Sequence, residues 1–154
     1  MSSDAFYKLF YHVVWRTKDH SSALTPMLRT EVANAIRDKC IALGCPVHAV
    51  NAMEDHVHLV LEIRPSIAVS TMVGQVKGAS SHEVNQSGGD LIHWQDGYGV
   101  VSFREKDLPG VRRYVENQEA HHKAGKLSEV LEQTPDARPS TTGLSARKKP
   151  GQPG

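Results

Sequence analysis

Two histidines separated by one residue, His56 and His58, have the residue type and spacing of a metal site. They stand in an alternating, Val- and Leu-rich run from Asp55 to Ile63, which predicts a β-strand. Side chains two residues apart on a strand leave the same face, with backbones about 7 Å apart, so both imidazoles can bind one divalent ion. Asp55 and Val57 would face the opposite side. The simpler interpretation is two surface histidines on a half-buried strand.

A second candidate group lies later in the chain, where Tyr114 and Gln118 are spaced by one helical turn. Residues at this spacing are neighbours on a helix surface, and other residues of the segment suit the buried stripe better. A glutamine carbonyl oxygen can bind a metal ion, and a tyrosine oxygen can act as a nucleophile. Arg112 and Arg113 add positive charge that would suit a phosphate. The simpler interpretation is an amphipathic helix with a half-buried tyrosine.

The composition bounds the classes of protein to which the chain can belong. Its 154 residues suffice for one domain, and a net charge of +1 means that any nucleic-acid site must come from a local basic patch. Cys40 and Cys45 follow no secretory signature and form no zinc motif, so we expect them to be reduced. No apolar run is long enough to span a membrane, and the N-terminus does not resemble a signal peptide. We therefore expect a cytoplasmic protein without a membrane partner.

The elements that position the candidate residues follow from the apolar spacing. Strands are predicted over residues 6–16, 46–53, 55–63 and 98–103, and helices over residues 25–44, 66–86 and 108–123. Thr25 and Asp107 are the predicted caps of the first and last helices, and Ser87–Asp90 is a predicted loop. This order predicts an α+β fold with a ferredoxin-like or RNA-recognition-motif-like antiparallel four-stranded sheet. Helices would cover one face, a further C-terminal helix would carry Tyr114, and the other face would be free to bind a ligand.

Two more features of the sequence concern its boundaries and its second helix. We expect one domain over residues 1–133, followed by a basic tail over residues 134–154 whose Pro-, Ser- and Gly-rich composition predicts disorder. Gly74 and Gly78 each weaken the second helix by up to about 1 kcal/mol relative to Ala. Close approach by the core, or by a nucleic-acid backbone, would compensate for that loss.

Four segments, in this order, resemble the HUH single-tyrosine transposases of small bacterial insertion sequences, the IS200/IS605 type. They are the first-strand segment His12–Lys18, the His-x-His segment Asp55–Leu59, the second-helix segment Val76–Ser81 and the tyrosine segment Arg113–Gln118. A lone His-x-His motif is weak, whereas four ordered segments at these spacings are specific.

The resemblance implies a metal-dependent enzyme that cleaves and rejoins single-stranded DNA. Tyr114 would form a 5′-phosphotyrosine intermediate, and His56, His58 and Gln118 would hold Mg²⁺ or Mn²⁺. The implied partners are single-stranded DNA with hairpin ends and a second copy of the chain, for which the strand at residues 98–103 is the candidate contact. The residues that we also predict to contact DNA are Lys77, Ser80, Ser81, Arg112 and Arg113.

Two other functions remain open. One is a domesticated relative that keeps the chemistry but serves the host. The other is a non-catalytic module that binds single-stranded nucleic acid by stacking bases on exposed aromatic residues. Tyr7, Tyr11 and Trp15 would stack bases only if they faced outward. Such a module would not need the two histidines, Tyr114 and a glutamine together, and His12 on the neighbouring strand is a further candidate to approach the site.

Overall fold

The computed structural model describes residues 5–118 and 129–135, and these residues contain a four-stranded sheet with four α-helices. The elements are β1 (Phe10–Arg16), α1 (Pro26–Ala42), β2 (Val47–Ala52), β3 (His56–Glu62), α2 (Val69–Gly88), β4 (Gly99–Phe103), α3 (Leu108–Glu116) and α4 (Glu129–Glu132). The strand order is β2-β3-β1-β4, and every neighbouring pair is antiparallel. The predicted α+β class and four-stranded ferredoxin-like sheet are therefore confirmed.

β3 lies inside the sheet, between β2 and β1, and six of its seven residues are buried. Successive side chains of a strand leave opposite faces. Val57, Leu59 and Leu61 accordingly join the main core, while Val60 joins a smaller cluster on the other face. His56 and His58 share that second face with Val60. The sequence alternation of β3 thus sets which side of the sheet carries the candidate site.

The main core lies between the sheet and the pair α1 and α2. α1 begins after Thr25, whose hydroxyl accepts a hydrogen bond of 3.3 Å from the Leu28 amide, as the sequence predicts. The chain leaves α1 through Gly44, whose φ of +74° favours glycine. Val32 and Ile36 of α1 are fully buried in this core, where they pack with apolar residues of α2 and β3.

The opposite face of the sheet is covered, contrary to the expectation of a free face. α3 packs on β2 and β3, where its Val115 is buried with Ala49 and Val60. Asn51 of β2 also holds α3 on the sheet, because its side-chain amide donates a 2.8 Å hydrogen bond to the Val115 carbonyl. α4 contacts β4 and β1 on this same side of the molecule. The candidate site is therefore enclosed between the sheet and these two helices.

The ends of two helices differ from the prediction. α2 continues through Gly88, which the sequence predicts as loop, because the Asn85 side chain closes the following turn: its oxygen accepts 2.8 Å hydrogen bonds from the amides of Leu91 and Ile92. α3 ends at Glu116 rather than at Lys123. Asn117 leaves the helical conformation, and the Tyr114 carbonyl, which the next helical hydrogen bond would use, accepts a 3.2 Å hydrogen bond from the Gln118 side chain.

Three smaller expectations also have outcomes. Asp107 precedes α3, but its side chain makes no capping hydrogen bond. Thr134 and Pro135, the start of the predicted tail, are described, and Thr134 is buried, whereas residues 136–154 lie outside the described residues. A Cβ added at Gly74 or Gly78 would meet nothing within 4 Å in the described part of the chain, so the expected close approach is not seen there.

In residues 5–118 and 129–135, no helix combines the length and apolar character that crossing a membrane requires.

Candidate active site

His56 and His58 leave the same face of β3, as predicted, but they are not surface residues: they are 3% and 0% exposed. Their ring centroids lie 5.0 Å apart. Both direct Nε2 toward Glu132, with 3.8 Å from His56 Nε2 to Oε1 and 3.2 Å from His58 Nε2 to Oε2. The three ligand atoms lie within 4.8 Å of one another. One metal ion could therefore bind all three side chains.

The other nitrogen of each imidazole is engaged as well. His56 Nδ1 lies 2.7 Å from Asp55 Oδ1, so the Asp55 carboxylate turns toward His56 instead of pointing away from the site as expected. His58 Nδ1 lies 2.8 Å from Nε2 of His12 on β1, and His12 thus reaches the site from the neighbouring strand. Hydrogen bonds at the far nitrogen fix the ring orientation of metal-binding histidines, so this arrangement is compatible with a metal site.

Tyr114 reaches the histidines from α3. Its ring centroid lies 6.0 Å from that of His58, and its hydroxyl donates a 2.6 Å hydrogen bond to Glu132 Oε2. The ring is half-buried against the smaller cluster that contains Val60 and Val115. The predicted nucleophile and the two predicted histidine ligands are therefore brought together at one carboxylate.

Gln118 lies after the end of the helix that was predicted to carry it. Asn117 closes α3 with φ −107° and ψ 31°, so Tyr114 and Gln118 are not one turn apart on a continuous helix. The Gln118 side chain is nevertheless fully buried, and its Nε2 donates a 3.2 Å hydrogen bond to the Tyr114 carbonyl. Its role as a metal ligand stays a prediction.

Glu132 is absent from the residues that the sequence predicts for the site. It lies on α4, and Arg16 holds this segment, since Arg16 donates hydrogen bonds to the Glu132 carbonyl at 3.3 Å and to the Thr134 hydroxyl at 3.4 Å. The Gln133 carbonyl lies against Gly99, where a Cβ would collide with it. No local pattern marks Glu132, because its partners are distant in sequence. The sequence signal that could have indicated this contact is Gly99, where the absence of a side chain lets the Gln133 carbonyl approach β4.

The charges of the site favour an ionised Glu132 carboxylate. Burial raises the pKa of Glu132, but the hydrogen bond and charge of His58, the hydrogen bond of Tyr114 and the charge of His56 outweigh it and hold this pKa at about 2. Burial, with the charge of His58 second, lowers the pKa of His12 to about 3, so His12 is neutral at physiological pH. The hydrogen bond from His56 is the main cause that lowers the pKa of Asp55.

The predicted DNA contacts of α2 have roles within the fold. Lys77 donates to two backbone carbonyls of the loop before β4, at 2.8 and 2.9 Å. Ser80 is fully buried, and its hydroxyl accepts a 3.2 Å hydrogen bond from the Trp94 indole. Ser81 donates to the Lys77 carbonyl at 3.2 Å. α2 packs on the face of the sheet opposite to His56 and His58, so these residues lie apart from the site; DNA contacts there stay predictions.

Arg112 and Arg113 are exposed on α3. Arg112 makes a 3.5 Å ion pair with Glu116 one turn later, and both side chains are about half exposed, so this pair contributes little stability. Neither arginine follows Tyr114 into the enclosed part of the site. Their position suits contacts with a DNA backbone that approaches α3 from outside, and this stays a prediction.

The aromatic residues of the first strand do not form a base-stacking surface. Trp15 is fully buried in the main core, and Tyr11 packs against the same core. Tyr7 lies before β1 and is partly exposed. A base-stacking module on this sheet would need these rings on an open face, and the structure places two of the three against the core.

Known proteins are similar in sequence to this chain. The sequence profile of a family described as "Transposase IS200 like" matches residues 5–118. The chain is 28% identical over 121 residues to the ISDra2 transposase TnpA of Deinococcus radiodurans, and this match covers 73% of this chain and 85% of that relative. It is also 28% identical over 123 residues to the transposase for insertion sequence element IS200 of Salmonella typhimurium, covering 75% of this chain and 80% of that relative.

Two solved structures share the fold. One is a crystal structure from Deinococcus radiodurans R1, described as a candidate transposase, with a TM-score of 0.61 and 28% identity over 77% of this chain and 96% of that chain. The other is a REP-associated tyrosine transposase bound to a REP hairpin, with a TM-score of 0.58 over 82% of this chain and 76% of that chain. At 17% identity the second likeness concerns the fold alone.

Proposed function

This chain belongs to the family of IS200-like transposases, and on that basis we propose that it cleaves and rejoins single-stranded DNA with a tyrosine nucleophile. The Tyr114 oxygen attacks a backbone phosphorus, a 5′-phosphotyrosine bond forms, and the bond from phosphorus to the 3′ oxygen breaks. A 3′-hydroxyl is released. In the second step a 3′-hydroxyl attacks the phosphotyrosine, restores a phosphodiester and releases Tyr114, so no external energy source is required.

The observation that carries this proposal is the carboxylate shared by both halves of the site. Glu132 Oε2 lies 2.6 Å from the Tyr114 hydroxyl and 3.2 Å from His58 Nε2. A nucleophile and a set of metal ligands are thus within reach of the same phosphate group, which is the geometry that phosphoryl transfer requires. A module that only binds DNA has no use for this convergence.

The donor atoms suit a divalent metal ion. Two imidazole nitrogens and a carboxylate oxygen within 4.8 Å of one another can hold one divalent ion. We propose Mn²⁺ or Mg²⁺, because the resemblance to the transposase family implies these ions and the carboxylate suits them. His56 and His58 would hold the ion together with an oxygen of Glu132 or of Gln118. Such an ion, when bound, draws charge from a phosphate oxygen and so makes the phosphorus more electrophilic.

The chain's own side chains prepare the attack. Glu132 accepts the hydrogen bond of the Tyr114 hydroxyl and so orients the oxygen that attacks. Asp55 holds the His56 ring through Nδ1 at 2.7 Å. Arg112 and Arg113 are proposed to contact the phosphates beside the scissile one.

We propose a DNA hairpin as the substrate and a homodimer as the assembly. A similar fold is solved with a REP hairpin bound, which supports folded single-stranded DNA as the class to test first. In the dimer, β4 is the candidate contact, because it is the outer strand of the sheet next to β1. Edge strands left uncovered are ready to pair with another chain.

The test is adduct formation with a labelled single-stranded hairpin taken from the flanks of the gene, with Mg²⁺, Mn²⁺ or a chelator. The wild-type protein should give a 5′-linked adduct that resists denaturation and that requires metal. Tyr114→Phe should bind the hairpin and give no adduct, whereas Tyr7→Phe, which changes a tyrosine outside the site, should react like the wild type. An adduct with Tyr114→Phe would show that another residue is the nucleophile. No adduct with the wild-type protein on any hairpin would favour the non-catalytic binding module.

A further inference from the structure

His12 is buried at the centre of the sheet. It is 1% exposed and pairs in register with Val60 of β3 and with Val101 of β4. Its ring centroid lies 4.9 Å from that of His58, and its Nε2 lies 2.8 Å from His58 Nδ1. His12 therefore contacts the side of the His58 ring that faces away from Glu132.

A buried imidazole at this place is not explained by packing. Phe10 and Val14 leave the same face of β1, and both are apolar and buried. An apolar residue would fill the position of His12 without the cost of burying polar nitrogens. Nδ1 of His12 has no hydrogen-bond partner among residues 5–118 and 129–135. The bond to His58 is thus the contact that can account for a histidine here.

This bond links the proton positions of the two rings. One proton lies between His12 Nε2 and His58 Nδ1, so one ring donates and the other accepts. If His58 accepts, its own proton is on Nε2, where it faces Glu132 at 3.2 Å and prevents metal binding. If His58 donates from Nδ1, its Nε2 carries a lone pair that can bind a metal ion. Metal binding at His58 therefore requires His12 to be the acceptor.

We propose that His12 is a positioning residue that accepts the Nδ1 proton of His58 and so fixes the metal-binding tautomer of that ring. His12 is then neutral, with its own proton on Nδ1. The inference rests on the proposed function, because it takes His58 to be a metal ligand. It goes beyond that function by assigning control of the ligand to His12, a buried residue of another strand that acts through His58.

The test measures Mn²⁺ affinity by calorimetry on the full chain without DNA. His12→Phe keeps a planar ring but has no acceptor, so we expect it to lower the affinity by about tenfold or more, the usual effect of removing the partner of a ligand. His12→Gln places an amide oxygen near the position of Nε2 and should restore the affinity to within a few-fold of wild type. Phe10→Leu alters the same face of β1 farther along the strand and should leave the affinity unchanged.

A second measurement reads the tautomer directly in the wild-type protein. Nitrogen-15 NMR with Mg²⁺ bound should show the His58 proton on Nδ1 and the His12 proton on Nδ1. Finding the His58 proton on Nε2, or wild-type affinity in a folded His12→Phe, would overturn the role of His12 alone. Failure of the wild-type protein to bind either ion would instead overturn the metal site of the proposed function, and the role of His12 with it.

Discussion

The Tyr114 hydroxyl donates a 2.6 Å hydrogen bond to Glu132 Oε2, the same oxygen that lies 3.2 Å from His58 Nε2. One oxygen atom therefore occupies the space between the proposed nucleophile and a proposed metal ligand. A DNA phosphate that reaches both must take over one of these two contacts. Tertiary contacts hold Glu132 in place, since Arg16 donates hydrogen bonds to the Glu132 carbonyl and to Thr134, and the Gln133 carbonyl lies against Gly99.

Glu132→Ala should lower the affinity for Mn²⁺ by about tenfold or more, because it removes the carboxylate that completes the set of donor atoms. Calorimetry on the DNA-free protein measures this, with Gln133→Ala as the control, since that exposed neighbour lies on the same segment. Gly99→Ala should give a similar loss, because its Cβ would push the Gln133 carbonyl away and Glu132 with it. If Glu132→Ala binds Mn²⁺ normally while Gln118→Ala does not, Gln118 is the third ligand.

Gly74→Ala and Gly78→Ala should each stabilise the protein by about 0.5–1 kcal/mol, because alanine favours a helix interior and the added Cβ meets nothing within 4 Å in the described residues. Urea unfolding measures the change. Hairpin affinity should stay as in the wild type. A more stable variant that binds the hairpin less tightly would show instead that these glycines let a DNA backbone approach α2.

Cys40 should resist alkylation in the folded protein at about pH 8, because burial, with Cys45 as the second cause, raises its pKa to about 12. Iodoacetamide and mass spectrometry should find Cys40 modified only after unfolding. The folded pKa is raised, so the stabilisation from this thiol is present below pH 9 and is lost as the pH rises toward 12. Cys40→Ala should lack this part of the alkaline decline, and rapid alkylation of the native thiol would contradict the assignment.

Val100→Lys should dissociate the proposed homodimer. Val100 is 38% exposed on β4, the edge strand, where a partner chain would bury it. Ile41→Lys is the matched control, because Ile41 is 73% exposed on α1, away from that edge. Light scattering at micromolar concentration reports the mass, and a monomeric wild-type protein would refute the dimer.

Elements with a strong local pattern could be predicted from the sequence. The alternation around His56 and His58 predicts their strand and their common face, and Thr25 predicts the start of α1. Their burial could not be predicted, because it depends on α3 and α4 covering that face. The end of α3 could not be predicted either, because it depends on the backbone conformation of Asn117 and on the bond from the Gln118 side chain to the Tyr114 carbonyl.

The same limit applies to the candidate site. The sequence brings out the histidines and Tyr114 because their spacing is local, and it indicates His12 from the neighbouring strand. Glu132 has no such signal. Its hydrogen bond to Tyr114, eighteen residues away, depends on the contacts of Arg16 with the Glu132 carbonyl and of Gly99 with the Gln133 carbonyl. Lys77 has the charge of a DNA-binding residue, yet its ammonium binds the loop before β4, which composition does not indicate.

The central place of β3 divides the site into two parts that differ in how easily they open. Amide hydrogens of an interior strand exchange with solvent only when most of the sheet opens, whereas a short peripheral helix can detach in a local fluctuation. The histidines lie on β3, and Glu132 lies on α4. We therefore expect slow exchange across His56–Glu62 and faster exchange across Glu129–Glu132, so that the two histidines keep their positions while Glu132 can move away from them.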